Sequence, residues 1–197
     1  MRALALLLLL AAPLAAQDPI SARTKGVATA PVTVYEMSDF QCPYCRDFTL
    51  RTFPTIEQEY IATGKVRWIF VNFPIPQLHA NAVAAAEFAM CAARQGKFWP
   101  AHDRLYATQD QWEALRNPGP FFLAQVKPLG LDEQPVLACL QSGETRATIR
   151  SDAEGAARSG AGSTPSFYIE GGILEGAQPI AVFRHVLDSI VAAKRRP

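Results

Sequence analysis

Neither sign of charge dominates this chain of 197 residues: 19 basic side chains against 18 acidic ones leave a formal net charge of +1. Nucleic acid or an acidic surface would call for a basic excess, so neither is implied as a partner. Histidine is scarce, and His79, His102 and His185 share no spacing. The first two read as helix-surface or helix-cap residues, the third as a neighbour of an apolar stripe, and none as catalytic. There is no internal repeat. Nor is the chain polar enough for global disorder, since 49% of it is hydrophobic. Its length suits one domain, or one domain with an insertion.

Long apolar runs are missing too, except at the start. "MRALALLLLLAAPLAAQDP" has one charge, Arg2, an apolar run from Ala3 to Ala12, then Pro13 and small residues. These are the three regions of a secretory signal peptide. The run falls short of the roughly 20 residues a spanning helix needs. The reading is a signal peptide over residues 1–16, cut near Ala16, although Leu14 is large for its place before the cut. The alternative is an uncleaved membrane anchor. No cysteine lies near the cut, which argues against a lipid-modified N-terminus. The mature chain is thus expected to be exported, to the periplasm or beyond.

Cysteine is sparse, and all four survive the cut: Cys42, Cys45, Cys91 and Cys139. Outside the cytosol disulfides persist, and an even count allows two bridges in three connectivities. Cys42 and Cys45 sit in "SDFQCPYCRDF", from Ser38 to Phe48. Before them, Val32, Val34 and Tyr35 mark a strand that ends near Ser38. After them, Phe48, Phe53, Ile56, Tyr60 and Ile61 have rough helical spacing, with Gly64 as a stop. Pro54 should kink or break that helix. "KVRWIFVNFPI" then reads as a strand apolar on both faces. Strand, helix and strand make a parallel βαβ unit.

From Pro76 to about Arg158 the pattern is helical only, in pieces over residues 79–96, 99–108, 120–127, 134–142 and 144–158. "GSTPSFYIEGGILEGAQP" returns to strands, with Gly171-Gly172 as a hairpin turn. A final amphipathic helix carries Ile180, Phe183, Val186, Leu187, Ile190 and Val191 on one stripe, with Pro179 near its start. The fold class is therefore α/β, in the order β-α-β, helical block, β-β-α. The expected divisions are an N-terminal segment (17–27), a first half (28–75), an inserted helical subdomain (76–158) and a second half (159–197).

A CxxC where a strand feeds a helix places the first cysteine at the helix N-terminus. The free N–H groups and the helix dipole there favour a thiolate. The thiolate is the nucleophile of disulfide exchange. Pro43 suits the first turn, where its missing N–H has no partner to lose. Cys42 is read as the attacking thiol and Cys45, one turn further in, as the resolving one. An inert staple is a weaker reading, because a four-residue loop removes little chain entropy and an exposed pair makes a poor staple. Zinc needs four ligands, and Cys91 and Cys139 have no Cys or His at ligand spacing. Those two either pair with each other or stay as buried free thiols. Export favours the bridge, which would be structural.

Together, the strand, "FQCPYC", the helix, the helical insertion and "STPSF" before two strands resemble the thioredoxin fold in its DsbA-like, helix-inserted form. The resemblance covers roughly Ala28 to Ala193. It implies a cis peptide at Thr164-Pro165 lying against the active pair, with Thr164 offering its backbone to an extended client. Thr164, Pro165, Pro43 and Tyr44 are then substrate-contacting residues. It also places an acidic residue at Glu36, beneath the site. Alternation puts Glu36 on the face of Val32 and Val34, where a buried carboxyl can relay a proton to the inner thiol. Pro-Tyr between the cysteines departs from the Pro-His of the family's best-known oxidases. The implied function is a monomeric, exported thiol:disulfide oxidoreductase acting on newly secreted proteins, recycled by a quinone-linked membrane partner, with no metal or cofactor. The rival readings are a reductase or isomerase of the same fold, and a non-catalytic, membrane-tethered binding module.

Overall fold

Val32, Val34 and Glu36 share one face of a strand whose neighbours bury them completely. This strand, β2 (Val32–Ser38), is central in a five-stranded sheet ordered β1-β3-β2-β4-β5. The structure is a computed structural model that describes residues 19–194. The signal-peptide reading of residues 1–16, its cut and the alternative of an anchor lie outside the described residues. β2 runs parallel to β3 (Val66–Asn72), with Val34 opposite Trp68 and Glu36 opposite Phe70. β4 (Ser166–Ile169) is antiparallel to β2, with Glu36 opposite Phe167, and β5 (Gly172–Glu175) is antiparallel to β4. At the far edge, β1 (Thr24–Lys25) pairs antiparallel with β3. This short strand, and the turn of helix α1 (Pro19–Ala22) before it, fall in the segment from which no element was expected.

The helix after the CxxC does not break at Pro54. It continues from 43 to 61 as α2 (Pro43–Asp47), a wide π-type turn (Phe48–Thr52), α3 (Phe53–Ile56) and a second wide turn (Glu57–Ile61). The Phe53 N–H donates to the Phe48 carbonyl, five residues back. A wider turn before a proline relieves the clash between its ring and the preceding turn, so the helix bulges rather than stops. Its inner face presents Phe48, which packs against Phe167 at 4.6 Å, Phe183 at 5.4 Å and Trp68 at 6.1 Å between ring centres.

Six helices lie between β3 and β4: α4 (Ala82–Ala93), α5 (Phe98–Ala107), α6 (Gln109–Trp112), α7 (Gly119–Ala124), α8 (Glu133–Ser142) and α9 (Arg146–Arg158). Their core holds Phe88, Phe98, Trp112, Phe122, Val136 and Ile149, and it is continuous with Phe40, Phe70 and Cys45. A disulfide joins Cys91 on α4 to Cys139 on α8, 48 residues apart. The hairpin turn falls one residue earlier than expected, on Glu170 (φ 46°) and Gly171 (φ 94°), and Gly172 belongs to β5. A two-residue turn with both φ values positive matches the twist of the strands, and it needs the second glycine for pairing rather than for turning. α10 (Ile180–Lys194) closes the fold, burying Phe183, Leu187 and Val191 against the sheet.

Candidate active site

The strand-to-helix junction decides the two sulfurs. Cys42 caps α2 with extended backbone (φ −70°, ψ 124°), and Pro43 takes the first helical position. The amides of Tyr44 and Cys45, which have no partner inside the helix, favour charge on the Cys42 sulfur. That sulfur is held at a pKa of about 6, against an ordinary 9.0. The largest cause is a hydrogen bond from the Cys45 thiol; burial opposes it, and the Thr164 side chain and the two amides add to it. Cys45 lies one turn inside and is fully buried; burial, then its contact with Cys42, pushes it well above the ordinary value. The Asp39 N–H donates to the Cys45 sulfur at 3.5 Å. Both thiols are free.

The expectation of an exposed pair needs correction. Cys42 is only 4% exposed, because Thr164 and the helical block close over it. What stands open is the dipeptide between the cysteines, with Tyr44 67% exposed. Across from Cys42, the Thr164-Pro165 peptide is cis. The Cys42 thiol donates to the Thr164 carbonyl at 3.4 Å. β4 starts immediately after Pro165, so pairing with β2 is what fixes this loop beside the CxxC.

Beneath the pair, Glu36 is wholly buried and accepts a hydrogen bond from the Trp68 indole N–H at 2.8 Å. Burial raises its pKa; the charge of His102 and hydrogen bonds from Trp68 and Ser38 partly oppose this. The Ser38 side chain acts in the same way on Cys45, so it stands between carboxyl and inner thiol. Its hydroxyl is hydrogen-bonded to the Tyr106 hydroxyl at 3.0 Å. Tyr106, buried on α5, is pushed well above the usual tyrosine value by burial first and then by Cys45 and Glu36.

Two of the three histidines, His79 and His102, differ from their sequence reading. His102 is fully buried, ringed by Phe40, Phe70, Trp99 and Tyr106, with Nδ1 2.8 Å from the Asp103 carboxylate. His79 places Nδ1 2.8 Å from Asp39, whose carboxylate also accepts the N–H groups of Gln41 and Ile75. Only His185 lies exposed, on α10. Sequence reasoning passed over Ser38, Asp39, Trp68, Tyr106 and His102 as site neighbours. The period-2 alternation that placed Glu36 also reaches Ser38, two residues on. Tyr106 and His102 arrive from the insertion, and no local pattern announces them.

A CxxC at a helix N-terminus, faced by a cis-proline loop on a β-α-β…β-β-α sheet, defines a thioredoxin-fold protein with a helical insertion. Residues 20–189 match the thioredoxin family model. The chain belongs to the thioredoxin family, in its DsbA-like form. It is 32% identical over 155 residues to the probable disulfide bond formation protein D of Bacillus anthracis, covering 75% of this chain and 69% of that one. It is 33% identical over 181 residues to the Na(+)/H(+) antiporter NhaA 3 of Salinispora tropica, covering 91% of this chain. The chain spans only 26% of that antiporter's length, so the likeness concerns one segment of it. Among solved structures, alpha-DsbA1 of Wolbachia pipientis superposes with a TM-score of 0.77 at 22% identity, covering 87% of this chain and 92% of that one. Oxidised BdbD from Bacillus subtilis gives 0.77 at 21%, covering 86% and 92%. At these identities the two structures speak to the fold. No helix among the described residues is long and apolar enough to cross a membrane.

Proposed function

We propose that the chain is an exported thiol:disulfide oxidoreductase that introduces disulfides into client proteins. The observation that carries this is the inequality of the two thiols: Cys42 titrates at about 6 beside an open dipeptide, while Cys45 is buried and held protonated. In the oxidised state a client thiolate attacks the Cys42 sulfur and the Cys42–Cys45 bond breaks. Cys45 leaves with the electron pair and takes up a proton, for which Glu36 is the buried donor, through Ser38. A second client thiolate then attacks the client sulfur bound to Cys42. Cys42 leaves as a thiolate, the client gains its disulfide, and the protein keeps two electrons. A stable leaving thiolate favours the reduced protein and so drives oxidation of clients.

Thr164 and Pro165 would hold an extended client segment by its backbone, with Pro43 and Tyr44 in contact beside it. Reoxidation requires a membrane partner linked to quinone. The likeness to a disulfide bond formation protein supports this direction. Pro43-Tyr44 supports a second reading, a reductase or isomerase, because a neutral tyrosine gives Cys42 no cationic neighbour. A pKa of about 6 lies between the DsbA extreme near 3.5 and thioredoxin near 7. The deciding measurement is the reduction potential of Cys42–Cys45, titrated against glutathione and read by thiol-labelling mass spectrometry. A value between about −120 and −180 mV is expected, and one near −270 mV would overturn the oxidase in favour of a reductase.

A further inference from the structure

Two buried polar atoms beside the site have no hydrogen-bond partner among the described residues: Glu36 Oε1 and His102 Nε2. Leaving such atoms unpaired in a protein interior is destabilising. Their side chains interact electrostatically, and Phe70, which faces Glu36 in the strand pairing, stacks edge-on to the His102 ring at 5.3 Å. The other ring nitrogen of His102 meets Asp103, whose side chain is 62% exposed. An imidazole is thus set between a buried carboxyl and a surface carboxylate. Walled by aromatic rings, it has Asp103 as its one ionisable hydrogen-bond partner among the described residues, and its Nε2 and Glu36 Oε1 are not hydrogen-bonded to each other.

We infer that His102 is a positioning residue for disulfide exchange, supplying and withdrawing the Glu36 proton from the inserted helical block and passing it through Asp103 to solvent. This rests on the exchange reading above. When Cys45 must attack, its proton moves by way of Ser38 to the Glu36 carboxylate. Glu36 in turn gives a proton, by way of an intervening water, to His102 Nε2 while Nδ1 releases one toward Asp103 and solvent. When Cys45 is expelled as a thiolate, the same path runs inward. The charged and titratable groups around the array are Cys45 from α2, Tyr106 and Asp103 from α5, Asp39 after β2, and Lys25 from β1, which lies over the Trp99 ring at 4.6 Å. Among these, His102 is the group that touches both the carboxyl's surroundings and the surface.

The test is the reaction of the reduced protein with oxidised glutathione, quenched and resolved by mass spectrometry into two steps. In the first, Cys42 attacks and forms the Cys42–glutathione mixed disulfide. In the second, Cys45 loses its proton, attacks Cys42 and expels a glutathione thiolate. Both steps are followed from about pH 5 to 9, which brackets histidine titration. For H102Q, the second step is expected to be about tenfold slower at neutral pH, short of the full effect of a direct acid or base. Its pH profile should change shape as well, since the group that exchanges a proton with Glu36 has gone. The first step should change less than twofold. D103N, at an exposed position, should change the same profile in the same way, more weakly. In an E36Q background, H102Q should add nothing.

Unchanged second-step profiles in both H102Q and D103N would overturn the inference, as would a further slowing of E36Q by H102Q. If H102Q does not fold, D103N decides alone. If the wild-type protein forms no mixed disulfide, the exchange reading itself fails. If it exchanges normally while the variants match it, only the role of His102 falls.

Discussion

Three residues apart along the chain, Cys42 and Cys45 differ by where their sulfurs end up. The cap position gives Cys42 two amides, the Cys45 thiol and the Thr164 side chain; the position one turn later gives Cys45 burial and the contact with Cys42, opposed by one amide and the Ser38 side chain. Reactivity with an alkylating agent follows the thiolate, so the rate for Cys42 should rise with a midpoint near pH 6. The Cys45 thiol is the largest cause of that depression. Cys45→Ala should therefore move the midpoint upward toward the ordinary value, with Cys42 still reacting. A midpoint that stays in place would mean the helix N-terminus alone sets the thiolate, and the pair would not work as a unit. At this scale much of the site was legible, since Cys42, Cys45, Thr164 and Pro165 carry local signals. Glu36 was legible because a charge in a period-2 apolar row is itself anomalous. His102 was misread because a histidine on an amphipathic helix looks the same whether its face meets water or another element.

Elements with a full period of pattern declared themselves. β2 and β3 are seven residues long each, long enough for alternation to show. β1 has two residues, too few for any period, and exists only because β3 offers it an edge. Pro54 was read by its local rule, and the bulged helix shows what packing can impose on that rule: Phe48, Phe53 and Ile56 bury against the sheet on both sides of the proline. The insertion holds together differently. The Cys91–Cys139 bond links α4 to α8 across 48 residues. Closing a loop of that size restricts the unfolded chain by about 3–4 kcal/mol. A C91A/C139A variant should lose about that much in urea unfolding, while the rate of mixed-disulfide formation at Cys42 stays within about twofold, because no hydrogen bond to the active pair comes from either residue. A loss of exchange at unchanged stability would contradict a purely structural bond.

Among the described residues two large cores share one seam, beside a small third cluster around Met37 and Ala156. One core packs Phe48, Trp68, Phe167 and Phe183 between the sheet and its two covering helices; the other fills the insertion. Phe40, Phe70 and Cys45 belong to the second core although they stand on the first half of the chain, so the redox pair sits where the two halves meet. Folding and redox state are consequently coupled through pH. In the reduced protein the folded-state pKa of Cys42 is about 6, below its ordinary 9.0, so between these values the unfolded chain binds more protons. The stabilisation of the reduced form is full above the upper value and is lost as pH falls through the lower one. Cys45, shifted upward, acts against it only at higher pH. Glu36, also shifted upward, loses its contribution as pH rises, but it does so in both redox states and drops out of their difference. In the oxidised protein the two sulfurs are bonded and do not titrate. Urea midpoints of the two forms, measured from about pH 5 to 9, should therefore draw apart steadily in favour of the reduced form as pH rises. A constant separation would mean that the fold does not hold Cys42 as a thiolate, and with that the driving force for oxidising clients would disappear.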